Sequence, residues 1–169
     1  MRKKKGFVEI LEEFHKKGIK YIIVGGVAVN LHGIPRMTYD LDILLKMEDE
    51  NLEKFINLME RWGYKPKVPV KIHDFIKKEK REAWIKNKNM KAFTLFNPDA
   101  VVKEIDVVIN SPLDYEKAIK NVKYIKSKRV KIPVAGIKDL IKMKKNTKRE
   151  QDISDVRYLK KLLEYEKGI

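Results

Sequence analysis

Asp40 and Asp42 stand two residues apart in the run Tyr39-Asp40-Leu41-Asp42-Ile43-Leu44-Leu45. Side chains alternate along a strand, so Tyr39, Leu41, Ile43 and Leu45 share one face while both acids point from the other. Their backbones are then about 6 to 7 Å apart, close enough for the two carboxylates to share a hard cation such as magnesium, with oxygen ligands only. A third acid, Asp106, occupies the same kind of alternating run, Glu104-Ile105-Asp106-Val107-Val108-Ile109. If that run lies beside the first, three carboxylates converge. Glu104 shares the Asp106 face and is the alternative third ligand. Like charges this close raise one another's pKa, so divalent cations are their natural complement, and two ions about 3.5 to 4 Å apart make a phosphoryl-transfer site. Thirteen residues separate Gly25-Gly26 from Asp40. Lacking Cβ atoms, the pair lets backbone amides approach a phosphate.

The elements that must position these groups can be read from periodicity. Phe7, Ile10, Leu11 and Phe14 recur at helical spacing, and Tyr21 to Val24 is a short β-branched run ended by the glycine pair. A turn of helix follows around Val27 to Leu31, and Gly33-Ile34-Pro35 breaks it before the Tyr39–Leu45 strand. Leu52, Phe55, Ile56, Met59 and Trp62 form an apolar helical stripe stopped by Gly63. Tyr64 to Val70 reads as extended, and His73 to Lys88 as a charged, irregular helix. Ala92–Phe96 and Val101–Ile109 read as strands paired through the Asn97-Pro98-Asp99 turn. A short helix is expected over Tyr115–Lys120. Two extended segments flank the basic turn Lys126-Ser127-Lys128-Arg129 within Tyr124 to Val134, and helices cover Ile137–Lys145 and Ile153–Tyr165. Thr147 and Glu150 have the spacing of a capping box before the last helix. Helices and strands interleave, which predicts an α+β fold on a mixed α/β sheet, one domain over 1–169, with a helical C-terminal part from about 137–169 packed on the sheet.

Of 169 residues, 43% are apolar and 37% charged, a globular composition that excludes disorder as the whole answer. With no cysteine, a disulfide scaffold, thiolate zinc sites and cysteine nucleophiles are excluded, and a cytoplasmic setting is expected. His15, His32 and His73 share no metal-ligand spacing. Thirty-nine Lys and Arg against 24 Asp and Glu give a formal charge of +15, which favours polyanionic partners; abundant Lys, Ile and Glu also fit the ion-pair surfaces of heat-adapted proteins. The basic start Met1-Arg2-Lys3-Lys4-Lys5 runs into Glu9, Glu12 and Glu13 instead of an apolar segment, so neither export nor a membrane span is expected. No aromatic pair on one strand marks a single-strand binder.

The order Gly-Gly, thirteen residues, Asp-Leu-Asp and a later strand Asp resembles the DNA polymerase β type nucleotidyltransferase superfamily. The run Gly25 to Asp42 is similar to its small abortive-infection and toxin–antitoxin-like members, which often carry Arg-x-Thr-x-Asp-x-Asp, here Arg36, Thr38, Asp40 and Asp42. The similarity continues in Leu140-Ile141-Lys142-Met143-Lys144, Arg149, Asp152 and Asp155; residues 65–96 match nothing in it.

This resemblance implies a nucleotidyltransferase-like fold and transfer of a nucleoside monophosphate from a nucleoside triphosphate, ATP among them, to a hydroxyl, with release of pyrophosphate. It implies two Mg2+ ions, replaceable by Mn2+, with Asp40 and Asp42 on both and Asp106 on the catalytic ion, where it helps to deprotonate the acceptor. Gly25, Gly26, Arg36, Thr38 and Lys144 are the expected nucleotide contacts. Many superfamily members have Gly-Ser where this chain has Gly25-Gly26, so one hydroxyl is missing. Arg36 and Thr38 have structural alternatives, an ion pair and a loop-end β-former. Asp152 and Asp155, one helical turn apart, are read as structural partners of Lys144 or Arg149. The acceptor is an RNA end, a protein or a small molecule. The alternative function is a non-catalytic antitoxin-like or RNA-binding protein that keeps the fold.

Overall fold

A computed structural model describes residues 4–145 and 147–168. Met1 to Lys3 of the basic arm therefore lie outside the described residues. Seven strands form one mixed sheet in the order β3-β4-β5-β2-β1-β7-β6, with β1 Tyr21–Val24, β2 Leu41–Leu45, β3 Lys65–Pro66, β4 Ala92–Phe96, β5 Glu104–Val108, β6 Lys123–Ser127 and β7 Val130–Val134. The helices are α1 Phe7–Lys16, α2 Gly25–Leu31, α3 Asp49–Arg61, α4 Lys78–Lys88, α5 Tyr115–Ala118, α6 Ile137–Lys144 and α7 Glu150–Glu166. This is the mixed α and β architecture expected from the interleaved periodicities.

The central strand β1 is buried on both of its faces. Phe14 of α1 meets Tyr21 of β1 and Phe55 of α3 edge-on, at ring centroid distances of 5.3 and 5.9 Å. Phe93 of β4 is stacked against Phe75 at 4.8 Å and Trp84 at 5.3 Å. In α3, Leu52, Phe55, Ile56 and Met59 are fully buried, as the stripe predicts. Each such side chain withdrawn from water contributes about 1.5 to 3 kcal/mol before entropy is charged against it. The buried Asn51 ties the lower ends of two strands together: it accepts from Lys20 N at 2.7 Å and donates to the carbonyls of Lys20 and Lys46 at 3.0 and 2.8 Å.

Several boundaries differ from the periodicity reading. β2 begins at Leu41, so Asp40 lies at its entrance and not within its ladder. Between Tyr64 and Val70 only Lys65 and Pro66 pair, because Pro66 and Pro69 supply no amide hydrogen for a longer ladder. The charged helix splits at Lys77 into a 3-10 turn, Ile72–Ile76, and α4; Arg81 holds the junction by donating to the carbonyls of Phe75 and Ile76. The expected helix near Tyr115 is α5 followed by a 3-10 turn at Ile119–Asn121. The capping box does not form: Arg149 is the N-cap of α7, and Thr147 instead accepts from Arg149 N and donates to Asp152. The β4–β5 antiparallel pair is the one expected, and the two extended segments around the basic turn are β6 and β7, which pair antiparallel as well.

Candidate active site

β2 and β5 are parallel neighbours, and their register sets Asp42 directly beside Asp106. β1 flanks β2 antiparallel with Val24 opposite Asp42, so the chain leaves β1 into Gly25 just where the acids cluster. On the other side β4 sets Thr94 opposite Asp106, and Thr94 Oγ1 donates to Asp106 Oδ1 at 2.5 Å. Asp40, Glu104 and Asp106 each offer a carboxylate oxygen within 4.8 Å of the others. Lys67, the residue that follows β3, pairs with Glu104 Oε1 at 2.5 Å. The sheet thus brings together the three predicted acids and the alternative one.

The glycine pair is required by close approach. At Gly25, with φ +67°, a Cβ would overlap the Asp42 side chain, 2.7 Å from its Cγ. At Gly26 it would lie 2.7 Å from Thr38 Oγ1 and 3.1 Å from the Arg36 guanidinium carbon. Gly25 therefore packs on a candidate metal ligand, and Gly26 on both polar residues of the Arg-x-Thr segment.

The cluster is electrostatically strained without a cation. Burial, then the charge and hydrogen bond of Asp106 and the charge of Asp40, push Asp42 up to about 8, and Lys144 only partly offsets this. Burial and the charges of Glu104 and Asp106 raise Asp40 against the opposing pull of Lys67. A group of hard oxygen donors that resists holding its own negative charge fits a divalent cation such as magnesium.

Lys144 of α6 lines a cavity of about 150 Å3 together with Gly25, Asp42, Val108, Met143 and Asp152. Its ammonium contacts Asp152 Oδ1 at 3.0 Å and Asp155 Oδ2 at 2.9 Å. Burial pushes the Asp152 carboxyl upward, but the Lys144 and Thr147 contacts outweigh it and leave the group below its ordinary range. The buried Asp155 also receives Arg36 Nη1 at 2.7 Å and Gln151 Nε2 at 3.0 Å. One carboxylate on α7 therefore ties down both the Arg-x-Thr segment and the cation that faces Asp42.

Gly25, Gly26, Arg36, Thr38, Asp40, Asp42, Asp106 and Lys144 all lie in or against this region, with Arg36 held there by Asp155. Sequence reading missed Lys67 and Thr94, both in the 65–96 segment. Thr94 carried a signal, a hydroxyl between the apolar Phe93 and Leu95 on the face opposite theirs. Lys67 carried none, since its role depends on the β3–β4 pairing.

A family model described as nucleotidyltransferase of unknown function (DUF6036) matches residues 7–164. No curated protein matches the chain in sequence. Among solved structures it is similar to the lincosamide antibiotic adenylyltransferase LnuA bound to lincomycin, at 18% identity and TM-score 0.61 over 95% of this chain and 99% of that one. It is also similar to TM1012 from Thermotoga maritima, a candidate nucleotidyltransferase, at 12% identity and TM-score 0.52 over 94% of this chain and 93% of that one. At these identities the two likenesses speak for the fold. No helix among the described residues is long and apolar enough to cross a membrane.

Proposed function

The chain belongs to this nucleotidyltransferase family, and from that premise we propose that it transfers a nucleoside monophosphate from a nucleoside triphosphate to a hydroxyl acceptor in a magnesium-dependent reaction. The observation that carries the reading is the convergence of Asp40, Asp42 and Asp106 beside Gly25-Gly26. Asp40, Asp42 and Asp106 would hold two Mg2+ ions, or Mn2+ in their place, with Glu104 able to join at the open side. Such ions supply charge neutralisation at the phosphates and lower the pKa of a bound hydroxyl.

In the reaction a bond forms between the acceptor oxygen and the α-phosphorus. The bond from that phosphorus to the bridging oxygen breaks, and pyrophosphate carries away the electron pair. Asp106, oriented by Thr94, takes the acceptor's proton. Gly25 and Gly26 bring backbone close to the triphosphate, the Thr38 hydroxyl beside Gly26 offers a phosphate contact, and Lys144 offers a positive charge. Arg36 completes the nucleotide side while it is anchored to Asp155. Residues 1–169 act as one domain in this reading, because the α7 carboxylates hold the C-terminal helices to the sheet-borne site.

The acceptor is an RNA end, a protein or a small molecule; the lincomycin-bound adenylyltransferase among the structural neighbours supports including hydroxylated small molecules. The test is incubation of the protein with each α-labelled triphosphate, magnesium or manganese, and RNA, protein or small-molecule extract, with self-labelling as a separate lane. Metal-dependent label on one acceptor class supports the reading. Absence of transfer with every triphosphate would favour the alternative, a non-catalytic partner-binding or RNA-binding protein on the same fold.

A further inference from the structure

A second cavity, larger than the one beside the carboxylates, opens at the start of β1, the end of that strand away from Gly25. It measures about 680 Å3 and is walled by Lys20, Tyr115 of α5, Tyr124 and Lys126 of β6, Lys131 of β7 and His15 of α1. The size is that of a pocket for a nucleotide-sized group. In the β6–β7 ladder Tyr124 is opposite Pro133 and Lys126 opposite Lys131, so these side chains lie on the same face of the sheet. Lys20, Lys126, Lys131 and His15 are exposed, and 58% of Tyr124 is open to solvent.

The residues lining the groove include three lysines, a histidine and no carboxylate. Among the nearest acids, Glu48 lies beside Tyr115 but is occupied by Lys46 at 2.9 Å, and Glu116 adjoins the same ring. Cations around the exposed Tyr124 ring and the half-buried Tyr115 ring suit a ligand that combines phosphates with flat unsaturated rings. A bilayer-docking surface would instead project large aliphatic or indole side chains, and an acidic peptide would have no use for the rings. Duplex nucleic acid hides its base faces, whereas a single strand offers them, and the exposed His15 imidazole can bond a ribose 2′-hydroxyl.

We propose that this groove binds single-stranded RNA, with bases on Tyr124 and Tyr115 and phosphates on Lys20, Lys126 and Lys131. No single strand of the sequence carries the aromatic pair; α5 and β6 supply one ring each, and the fold brings them together. The inference is independent of nucleotidyl transfer, because binding is measured without triphosphate or divalent cation.

The test is fluorescence anisotropy with a labelled single-stranded RNA of about 12 nucleotides, titrated at several salt concentrations. Wild-type protein should bind with affinity that falls steeply as salt rises. Lys126→Glu with Lys131→Glu should weaken binding by about tenfold or more and flatten the salt slope, while Lys86→Glu with Lys88→Glu on α4, which changes net charge equally, should leave it within about twofold. Tyr124→Ala should cost about tenfold and Tyr124→Phe far less, since the ring and not the hydroxyl stacks. Circular dichroism on each variant verifies the fold. Equal loss in the two charge-reversal pairs would overturn the proposal in favour of diffuse attraction. So would undetectable binding at low salt, equal affinity for duplex RNA or for single-stranded DNA of the same length, or capture by anionic phospholipid vesicles without RNA binding.

Discussion

Thr94 Oγ1 donates to Asp106 Oδ1 at 2.5 Å across the β4–β5 ladder, so the candidate base is oriented by a residue from the segment 65–96, which carries none of the recognised motif residues. A carboxylate that loses its orienting donor typically costs a metal site about 10- to 100-fold. Thr94→Val should therefore lower kcat by about tenfold with little change in the triphosphate KM, and Thr94→Ser should restore it. Equal activity in Val and Ser variants would show that the hydrogen bond is only structural.

Asp42→Asn should abolish transfer, because it removes a charged ligand from the cluster. The same substitution should stabilise the metal-free protein at high pH. The sign follows from linkage: an unfolded Asp titrates near about 3.9, whereas Asp42 is pushed up to about 8 when folded. The folded state then holds more protons, so stability is highest in acid and is lost as pH rises from about 4 to about 8. Thermal melts in chelator should show this decline in wild type and a flatter curve in Asp42→Asn. Magnesium should reduce the decline in wild type alone.

Lys144→Ala should weaken triphosphate binding by about tenfold, read by calorimetry in magnesium, through loss of a cation beside Asp42. It also leaves Asp152 and the buried Asp155 with one partner fewer, so stability should fall by about 2 kcal/mol. Unchanged affinity alongside the stability loss would confine Lys144 to holding α7.

Gly25→Ala places a Cβ on the Asp42 carboxylate at a φ of +67°. It should displace Asp42 and destabilise the fold by more than about 1 kcal/mol, with activity lost even where folded protein is recovered. Gly26→Ser puts a side chain onto Thr38, and Thr38→Val paired with it should recover part of the triphosphate affinity if one hydroxyl at that spot suffices. No gain from the pair would remove the hydroxyl from phosphate binding.

The sequence by itself determined the elements that bury a continuous face. The apolar residues of α1 and α3 at helical spacing, and the alternation around Asp42 and Asp106, are local consequences of helix and strand geometry. The Gly25-Gly26 to Asp40 spacing was equally legible, because the element it crosses is short and adjacent. What only the tertiary structure decided was pairing between distant segments. That β2 and β5 are neighbours, that β4 delivers Thr94, that Lys67 just after β3 pairs with Glu104, and that Asp155 holds Arg36 and Lys144 together are long-range choices. Weak periodicity let the capping-box spacing mislead, since the Thr147 hydroxyl found a better use on Asp152 than on an amide of its own helix. Local patterns record which face of an element is buried, and the partner of that face is fixed only when the whole chain packs to remove its apolar surface from water.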